Sequence, residues 1–315
     1  MESAMIIEKP SSVDQGYLSR RYAESLYHVG SPLKLDESGA WVIERSIPDS
    51  RDTDVVGCYP LMACKEWDLL AEDIAKLEDH VVSFTMVTDP LGDFEEQSLG
   101  QVFPSLCKPF KRHHLVDLQS DFETSIASNH ARNAKKAARV LNFVREEQPL
   151  SILDDWISMY DNLVERHAIK GVAAFSREAF ALQLDTPGII VYSALQAGVR
   201  VGMVLFYVMN NSVYYHLGAY LPAGYENKAS FGIFRSALDD FKREGYHFLN
   251  FGGGAGLIED EEDGLTRFKR GWANEQRTAY LCGAILNHNA YSDLTNALAG
   301  GSATTSFFPA YRSKL

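Results

Sequence analysis

Apolar residues recur at two different spacings along this chain, and the change between them predicts where helices and strands alternate. Four apolar residues in the run 228–244 are three or four positions apart, which is the spacing of one helix face. These residues are Phe231, Phe234, Leu238 and Phe241. Gly245 follows as a residue that commonly ends helices, and 246–251 is a short apolar run typical of a buried strand. We therefore predict a helix that leads directly into a buried strand.

The elements around this pair are predicted by the same rules. Residues 200–209 and 213–219 have strand character and flank Asn-Asn-Ser, which predicts a β-hairpin. After a glycine loop, residues 265–272 fit a short helix and 277–286 a final strand. The order is hairpin, helix, strand, short helix, strand. Its strand–helix–strand crossover implies a locally parallel pair.

Upstream of residue 148 the patterns are of the same kind. The predicted strands are 41–47, 53–59, 81–87 and 114–118, and the predicted helices are 17–29, 67–78 and the segment from Asp121 onward. A composition shift at 146–151 predicts a domain boundary, which gives domains 1–148 and 149–315. The second begins with helices at 152–168 and after Ser176, and a strand at 189–195. The predicted class is α+β, with a mostly antiparallel sheet flanked by helices.

Charge and cysteine content narrow the function classes. A net charge of −12 over 315 residues argues against nucleic-acid binding through the whole surface. No apolar run is long enough to span a bilayer and the N-terminus lacks a signal-peptide pattern, so we expect a cytoplasmic protein. The four cysteines lack C-x-x-C spacing, which favours reduced thiols over a disulfide framework or zinc site. No metal-ligand cluster is recognisable.

One segment is basic despite the acidic total. Residues 108–139 hold seven Lys or Arg residues against three Asp or Glu residues. Within it Arg132, Lys136 and Arg139 recur at helical spacing and so share a face, with Lys135 adjacent. This face is a candidate for binding a polyanionic phosphate donor. The alternative is an ordinary solvated helix face.

The glycine loop Gly252–Gly256 has two interpretations. It follows a strand, as phosphate-binding loops do, so Gly253 and Gly254 are candidate donor-binding residues. It matches neither dinucleotide nor P-loop spacing, and a backbone that must bend sharply is an equal alternative. The acidic run Glu259–Asp263 behind it lacks calcium-loop spacing and is better explained as a solvated loop or a lid.

Four side chains near these elements are candidates for catalysis or substrate binding. Lys269 lies beside Phe268, where an ammonium in a partly dry site acts strongly on a developing oxyanion or a phosphate. The alternative is a surface lysine on a short helix. His216 is a candidate general base, although a strand histidine is more often structural. Tyr220 and Tyr225 lie nearby in the sequence and are candidate substrate contacts.

Several of these motifs, in this order, resemble those of FemAB-like proteins. The matching runs are Asn129–Ala137, Tyr215–Tyr220, Ala229–Phe231, Leu249–Gly254 and Gly264–Trp272. The last, with its F-K-x-G-[FW] pattern, is the most specific. The resemblance implies two GNAT-like domains in tandem and covers about residues 80–285. It differs from some family members in lacking a long coiled-coil insertion.

FemAB-like enzymes transfer an aminoacyl group from aminoacyl-tRNA to an amine, in the best-known cases on a peptidoglycan precursor. The resemblance therefore implies an N-acyltransferase in which Phe268 and Lys269 lie near the reacting centre. Acyl-CoA is the alternative donor, as in ordinary GNAT enzymes, but the CoA-binding glycines are absent from 225–232. The acceptor is an amine on a small molecule or peptide, and no permanent cofactor is expected. A non-catalytic binding protein that retains the fold is the alternative of another class.

Overall fold

The structure is a computed structural model that describes residues 14–77, 81–167, 171–254, 256, 262–298 and 307–313. The N-terminal decapeptide considered for a signal sequence and the acidic residues 259–261 lie outside the described residues.

Eleven strands of the described chain form one continuous sheet, in the order β1-β2-β3-β4-β11-β5-β10-β9-β8-β7-β6. They are β1 (Ser31–Lys34), β2 (Trp41–Ser46), β3 (Thr53–Gly57), β4 (Val81–Val87), β5 (Leu106–Asp117), β6 (Asn142–Arg145), β7 (Ile189–Gln196), β8 (Val199–Met209), β9 (Ser212–Tyr220), β10 (Phe248–Asn250) and β11 (Glu275–Ile285). Two pairs, β3–β4 and β9–β10, are parallel and the others antiparallel. The predicted fold class is confirmed.

Ten α-helices of the described chain flank this sheet. They are α1 (Arg20–Glu24), α2 (Leu70–Leu77), α3 (Glu96–Val102), α4 (Ser128–Ala137), α5 (Leu153–His167), α6 (Arg177–Leu184), α7 (Pro222–Glu226), α8 (Ala229–Arg243), α9 (Gly264–Arg270) and α10 (His288–Leu298). Helix α6 begins as predicted, because the Ser176 side chain accepts a hydrogen bond from the Ala179 amide at 3.2 Å.

Each half of the chain contains one crossover from a strand through a helix to a parallel neighbour. In the first half β3 leads through α2 to β4, and in the second β9 leads through α8 to β10. The apolar face of α8 is buried as its spacing predicts, with Phe234, Leu238 and Phe241 at or below 1% exposure. Helices α4 and α8 cover one face of the second half, and α1, α5 and α6 cover the other.

The two halves exchange one long strand each. Strand β5 leaves the first half to pair with β10, and β11 returns from the second half to pair with β4. The two exchanged strands also pair with each other along most of their length. Strand β5 is much longer than the predicted 114–118, because polar residues such as Lys108 and Lys111 hid its first half from the apolar pattern. The boundary at 148 stays a prediction.

Candidate active site where two parallel strands diverge

The candidate site forms where β9 and β10 separate. The two strands pair only over Ser212–Tyr214, and β9 then continues six residues further to Tyr220. The register between β8 and β9 shifts beside His216, so that His216 is an extra residue in the strand. A bulge of this kind changes which side chains face each side of a sheet. Tyr215 and Tyr220 consequently both face α8. The space between this part of β9 and the chain that follows β10 is called the cleft below.

The glycine loop after β10 lines this cleft, and its glycines are needed because side chains approach the backbone closely. Gly252 has a φ of +78°, and a Cβ atom there would lie 3.3 Å from the Lys269 Nζ. A Cβ atom on Gly253 would lie 3.1 Å from the Lys111 side chain, and one on Gly254 would lie 2.5 Å from the Thr266 hydroxyl oxygen. The sharply bent backbone is therefore the interpretation that the geometry favours.

Lys269 enters the cleft from α9 and is only 6% exposed. Its Nζ donates a hydrogen bond to the Gly253 carbonyl at 2.6 Å and lies 5.6 Å from the centre of the Tyr215 ring. An ammonium has three donors, and the other two find no acceptor in the described part of the chain. Burial, together with the nearby charge of Lys111, lowers the pKa of Lys269 to about 7. A partly dry cation with spare donors can stabilise an oxyanion or hold an anionic group.

Lys111 is the second buried cation at the cleft, with 7% exposure. It projects from β5 and donates to the Gly254 carbonyl at 3.3 Å, next to the carbonyl that binds Lys269. The loop therefore turns consecutive carbonyls toward two lysines, whereas a phosphate cradle turns backbone N–H groups toward its ligand. Sequence reasoning placed Lys111 only in the basic segment. Nothing in its spacing marked it as buried.

Asn250 and His113 fix the start of the loop. The Asn250 side-chain oxygen accepts from the Gly252 amide at 2.8 Å and from His113 Nδ1 at 3.1 Å. Burial and the charge of Lys269 lower the pKa of His113 to about 3, so this imidazole is neutral at physiological pH. It acts here as a hydrogen-bond donor that holds the loop against β5.

His216 lies on the opposite side of the sheet from Lys269. Its Nδ1 accepts a hydrogen bond from the Tyr17 hydroxyl at 3.1 Å, and its Nε2 donates to the Gln183 side-chain oxygen at 3.3 Å. Burial lowers its pKa to about 3. With both ring nitrogens engaged among packed tyrosines, His216 has the environment of a structural histidine, and the structure does not bring it together with Lys269.

Tyr220 and Tyr225 lie at the outer end of the cleft. Their rings pack edge to face with centres 5.4 Å apart, and the Arg166 guanidinium stacks 4.4 Å from the centre of the Tyr225 ring. The hydroxyl of Tyr220 is buried, and no described atom is its hydrogen-bond partner. A Cβ atom on Gly218 would lie 2.9 Å from the Tyr215 hydroxyl and 3.1 Å from that of Tyr220. The hydroxyls of Tyr215 and Tyr220 are therefore neighbours in the cleft.

Phe268 faces away from the cleft and into the core. Its ring packs against those of Phe231 and His130, at centre distances of 5.1 and 5.4 Å. His130 Nε2 donates to the Phe268 carbonyl at 2.9 Å, which joins α4 to the helix that carries Lys269. The Phe268 ring therefore holds α9 in position and does not contact the Lys269 ammonium.

The basic residues Arg132, Lys136 and Arg139 lie on and just after α4, and all three are exposed. Within the described residues none of them forms an ion pair. The face predicted from their spacing is present and accessible. No described contact joins it directly to Lys269, so the link between them is the packing of α4 against α8 and α9.

The described residues hold no group of three or more His, Cys, Asp or Glu side chains suited to a metal ion. Among the helices of the described chain, none combines the length and the apolar character that crossing a bilayer requires.

Comparisons with known proteins give one domain match and a shared fold. Residues 125–270 match the model of an acetyltransferase (GNAT) domain. Among solved structures the chain is similar to FemX, with 12% identity over 89% of this chain and 95% of that one and a TM-score of 0.64. It is also similar to the C-terminal domain assigned to a lysylphosphatidylglycerol synthetase from Agrobacterium fabrum, with 15% identity over 90% and 94% of the two chains and a TM-score of 0.61.

A third similar structure is L-PGS from Bacillus licheniformis, with 15% identity over 90% of this chain and 96% of that one and a TM-score of 0.54. The sequence matches no curated protein. At these identities the structures establish a shared fold, and the domain match adds the enzyme class. The match at residues 125–270 supports an acyltransferase with a GNAT acetyltransferase domain there, and the chain has a FemX-like fold over most of its length.

Proposed function

We propose that this protein is an N-acyltransferase of FemAB-like type that transfers an aminoacyl group from aminoacyl-tRNA to an amine. The observation that carries the proposal is the buried Lys269 ammonium, which has spare donors and lies in the cleft between the diverging strands β9 and β10. In acyl transfer, negative charge develops on the carbonyl oxygen of the transferred group. A preorganised cation in a partly dry cleft stabilises that charge more strongly than water does.

The reaction at this site is an exchange of one bond to the carbonyl carbon for another. The acceptor nitrogen forms a bond to the ester carbonyl carbon, and the bond from that carbon to the ribose oxygen breaks. The proton lost by the nitrogen ends on the ribose oxygen. Lys269 supplies charge at the carbonyl oxygen, and Lys111 keeps the cleft electropositive for the anionic donor. Phe268 and His130 act indirectly, since they hold α9 in place.

The exposed face of Arg132, Lys136 and Arg139 supports a polyanionic donor. These residues carry no acidic partner in the described structure, so their charge is available to phosphates. They lie on the helix that His130 attaches to α9. A tRNA backbone bound along this face would therefore be anchored to the same packed unit as Lys269.

The segment before α8 supports a donor other than acyl-CoA, because the CoA-binding glycines are absent from residues 225–232. Ordinary GNAT enzymes bind CoA phosphates through free amides at this helix start. Here the amides of Tyr225, Asn227 and Lys228 are already bonded to the carbonyls of Leu221, Ala223 and Tyr225. These three amides lie in α7 and in the two residues before α8, so the segment that precedes α8 is a closed turn without the glycines of a CoA-binding loop.

The test is binding of a labelled aminoacyl-tRNA pool across a salt titration, with uncharged tRNA and acyl-CoA in parallel. Replacing Arg132, Lys136 and Arg139 with Ala should flatten the slope of log affinity against log salt by about 2–3, since each lost phosphate contact removes about 0.7–0.9. The matched control replaces Lys34, Arg51 and Arg20, which are equally exposed but lie in the first half of the chain. The control should keep the full slope.

Transfer itself is measured as movement of the labelled aminoacyl group from tRNA to each amine of a panel. Lys269→Met should slow this step by at least about a hundredfold, the effect typical of a lost oxyanion donor. Arg267→Gln, an exposed change on the same helix, should leave it unchanged. Binding of acyl-CoA without tRNA would replace the proposed donor with CoA. Unchanged transfer in Lys269→Met would refute the role given to Lys269.

A further inference from the structure

A small pocket opens at the outer end of the cleft, between the end of α5 and the turn that follows β9. Its volume is about 230 Å³. The residues that form it and matter here are Leu163, Glu165, Arg166, Tyr220, Pro222 and Tyr225. Pockets for drug-sized ligands begin at about 300 Å³. This pocket therefore fits one end of a molecule, about the size of an amino acid.

The pocket presents a cation that is already oriented. The Arg166 guanidinium lies 4.4 Å from the centre of the Tyr225 ring, a stacking geometry that restricts its rotation. No carboxylate among the described residues pairs with Arg166, and stacking on a ring leaves the edge of a guanidinium free for hydrogen bonds. A planar fork of donors held in this way suits a carboxylate or a phosphate.

The pocket is connected to the reacting centre by a row of aromatic side chains. Tyr225 packs against Tyr220, whose hydroxyl neighbours that of Tyr215, and the Tyr215 ring lies 5.6 Å from Lys269 Nζ. Burial raises the pKa of Tyr215, and the nearby Tyr225 hydroxyl raises it further. A short molecule anchored at Arg166 can therefore extend along Tyr220 and Tyr215 to the cleft.

The pocket lies at the end of β9, where the end of α5 meets Tyr220, and the basic residues of α4 do not line it. Helix α5 packs in the core cluster that covers one sheet face, whereas α4 packs with α8 on the other. If the polyanionic donor approaches along α4, as the proposed function states, α5 is left for the second substrate. The pocket is then in the place of the acceptor.

Resting on that proposed function, we infer that this pocket binds the acceptor through an anionic group. The acceptor is a small amine that carries a carboxylate or phosphate, which Arg166 holds while the amine reaches the cleft beside Lys269. Tyr225 orients Arg166 and packs on the acceptor's apolar part together with Leu163 and Pro222. The chemical class is that of amino acids, short peptides or phosphate-bearing amines.

The test measures binding to the intact protein in the absence of any donor, so it does not depend on the donor assignment. Saturation-transfer NMR would compare free amino acids and dipeptides with their carboxamides, and phosphoethanolamine with ethanolamine. Anionic members should bind and their uncharged counterparts should bind at least about tenfold more weakly, as expected for loss of a charge-assisted pair. A preference for amino acids and dipeptides over their carboxamides identifies a carboxylate as the anchored group. A preference for phosphoethanolamine over ethanolamine identifies a phosphate.

Variants of Arg166 test whether the pocket causes the preference for anionic amines. Arg166→Gln should abolish the preference for anionic amines, and Arg166→Lys should keep part of it because the charge remains without the planar fork. Arg177→Gln, an exposed arginine on α6 that pairs with Asp154, is the matched control and should bind like the natural protein. Thermal unfolding checks that each variant is folded.

Equal binding of anionic and uncharged amines, no binding of either, or an undiminished preference in Arg166→Gln would overturn the inference. The failure of the tRNA assay would leave these binding results intact. Conversely, transfer to uncharged amines with full efficiency would support the proposed function while refuting the anionic acceptor.

Discussion

Lys269→Met should stabilise the folded protein while removing its activity. Burial lowers the pKa of Lys269 from its ordinary value of 10.5 to about 7. At about 1.4 kcal/mol per pKa unit, this fall means that the charged form costs the folded state about 5 kcal/mol relative to the unfolded chain. The bond to the Gly253 carbonyl offsets part of that cost, by about 1–3 kcal/mol. A methionine of similar length should therefore raise the free energy of unfolding at pH 6 by about 2–4 kcal/mol.

The gain should depend on pH in one direction. Between pH 7 and 10.5 the unfolded chain binds a proton at Lys269 that the folded protein has released. The free energy of unfolding of the natural protein therefore rises with pH between these values. The cost of the buried charge is complete below pH 7 and disappears as pH approaches 10.5. The advantage of Lys269→Met should accordingly shrink by about 1.4 kcal/mol for each pH unit above 7.

Urea unfolding at pH 6, 8 and 9.5 measures this difference. Arg267→Gln, at an exposed position on the same helix, should stay within about 0.5 kcal/mol of the natural protein throughout. The reasoning is refuted by a Lys269→Met variant that is less stable at pH 6, or by a stability difference that does not change with pH. Either outcome would mean that the Lys269 ammonium is well solvated in the cleft.

Two further changes test the surroundings of this site. Gly271→Ala should lower the free energy of unfolding by about 1–3 kcal/mol in denaturant, because its Cβ atom would lie 2.2 Å from the His130 ring. Gly264→Ala, at the start of α9, is the control: its Cβ atom meets no atom within 4 Å, so the free energy of unfolding should not fall. Oxidation with glutathione disulfide should join Cys107 and Cys282, which are cross-strand partners with sulfur atoms 3.9 Å apart, and mass spectrometry should find two hydrogens lost. Cys107→Ser should prevent that loss, and a disulfide that still forms would show that other thiols react.

The second half of the chain was predictable because its apolar spacing is regular. The hairpin, α8, β10, α9 and β11 all follow the order that the spacing predicts. The sequence also singled out Lys269, but through a resemblance and its aromatic neighbours. Its burial depends on β5 and the glycine loop, which are distant in the sequence, so no local pattern could establish it.

The sequence pattern did not predict elements that have few regularly spaced apolar residues. The short edge strands β1 and β6, and helices α3, α7 and α10, have too few apolar residues at a regular period. Lys111 and Arg166 were not identified as site residues for a related reason. Each is defined by what it meets in space, a loop carbonyl or a tyrosine ring, and spacing along the chain carries no information about such partners.

The exchange of β5 and β11 has a consequence for synthesis on the ribosome. Strand β4 can be complete when residue 87 has emerged, but its partner β11 is not translated until residues 275–285. Until then β4 keeps an open edge of unpaired N–H and C=O groups, which is where nascent chains associate wrongly. The first half thus cannot mature before the second, and a ribosome stalled between residues 150 and 270 should hold a nascent chain that depends on chaperones.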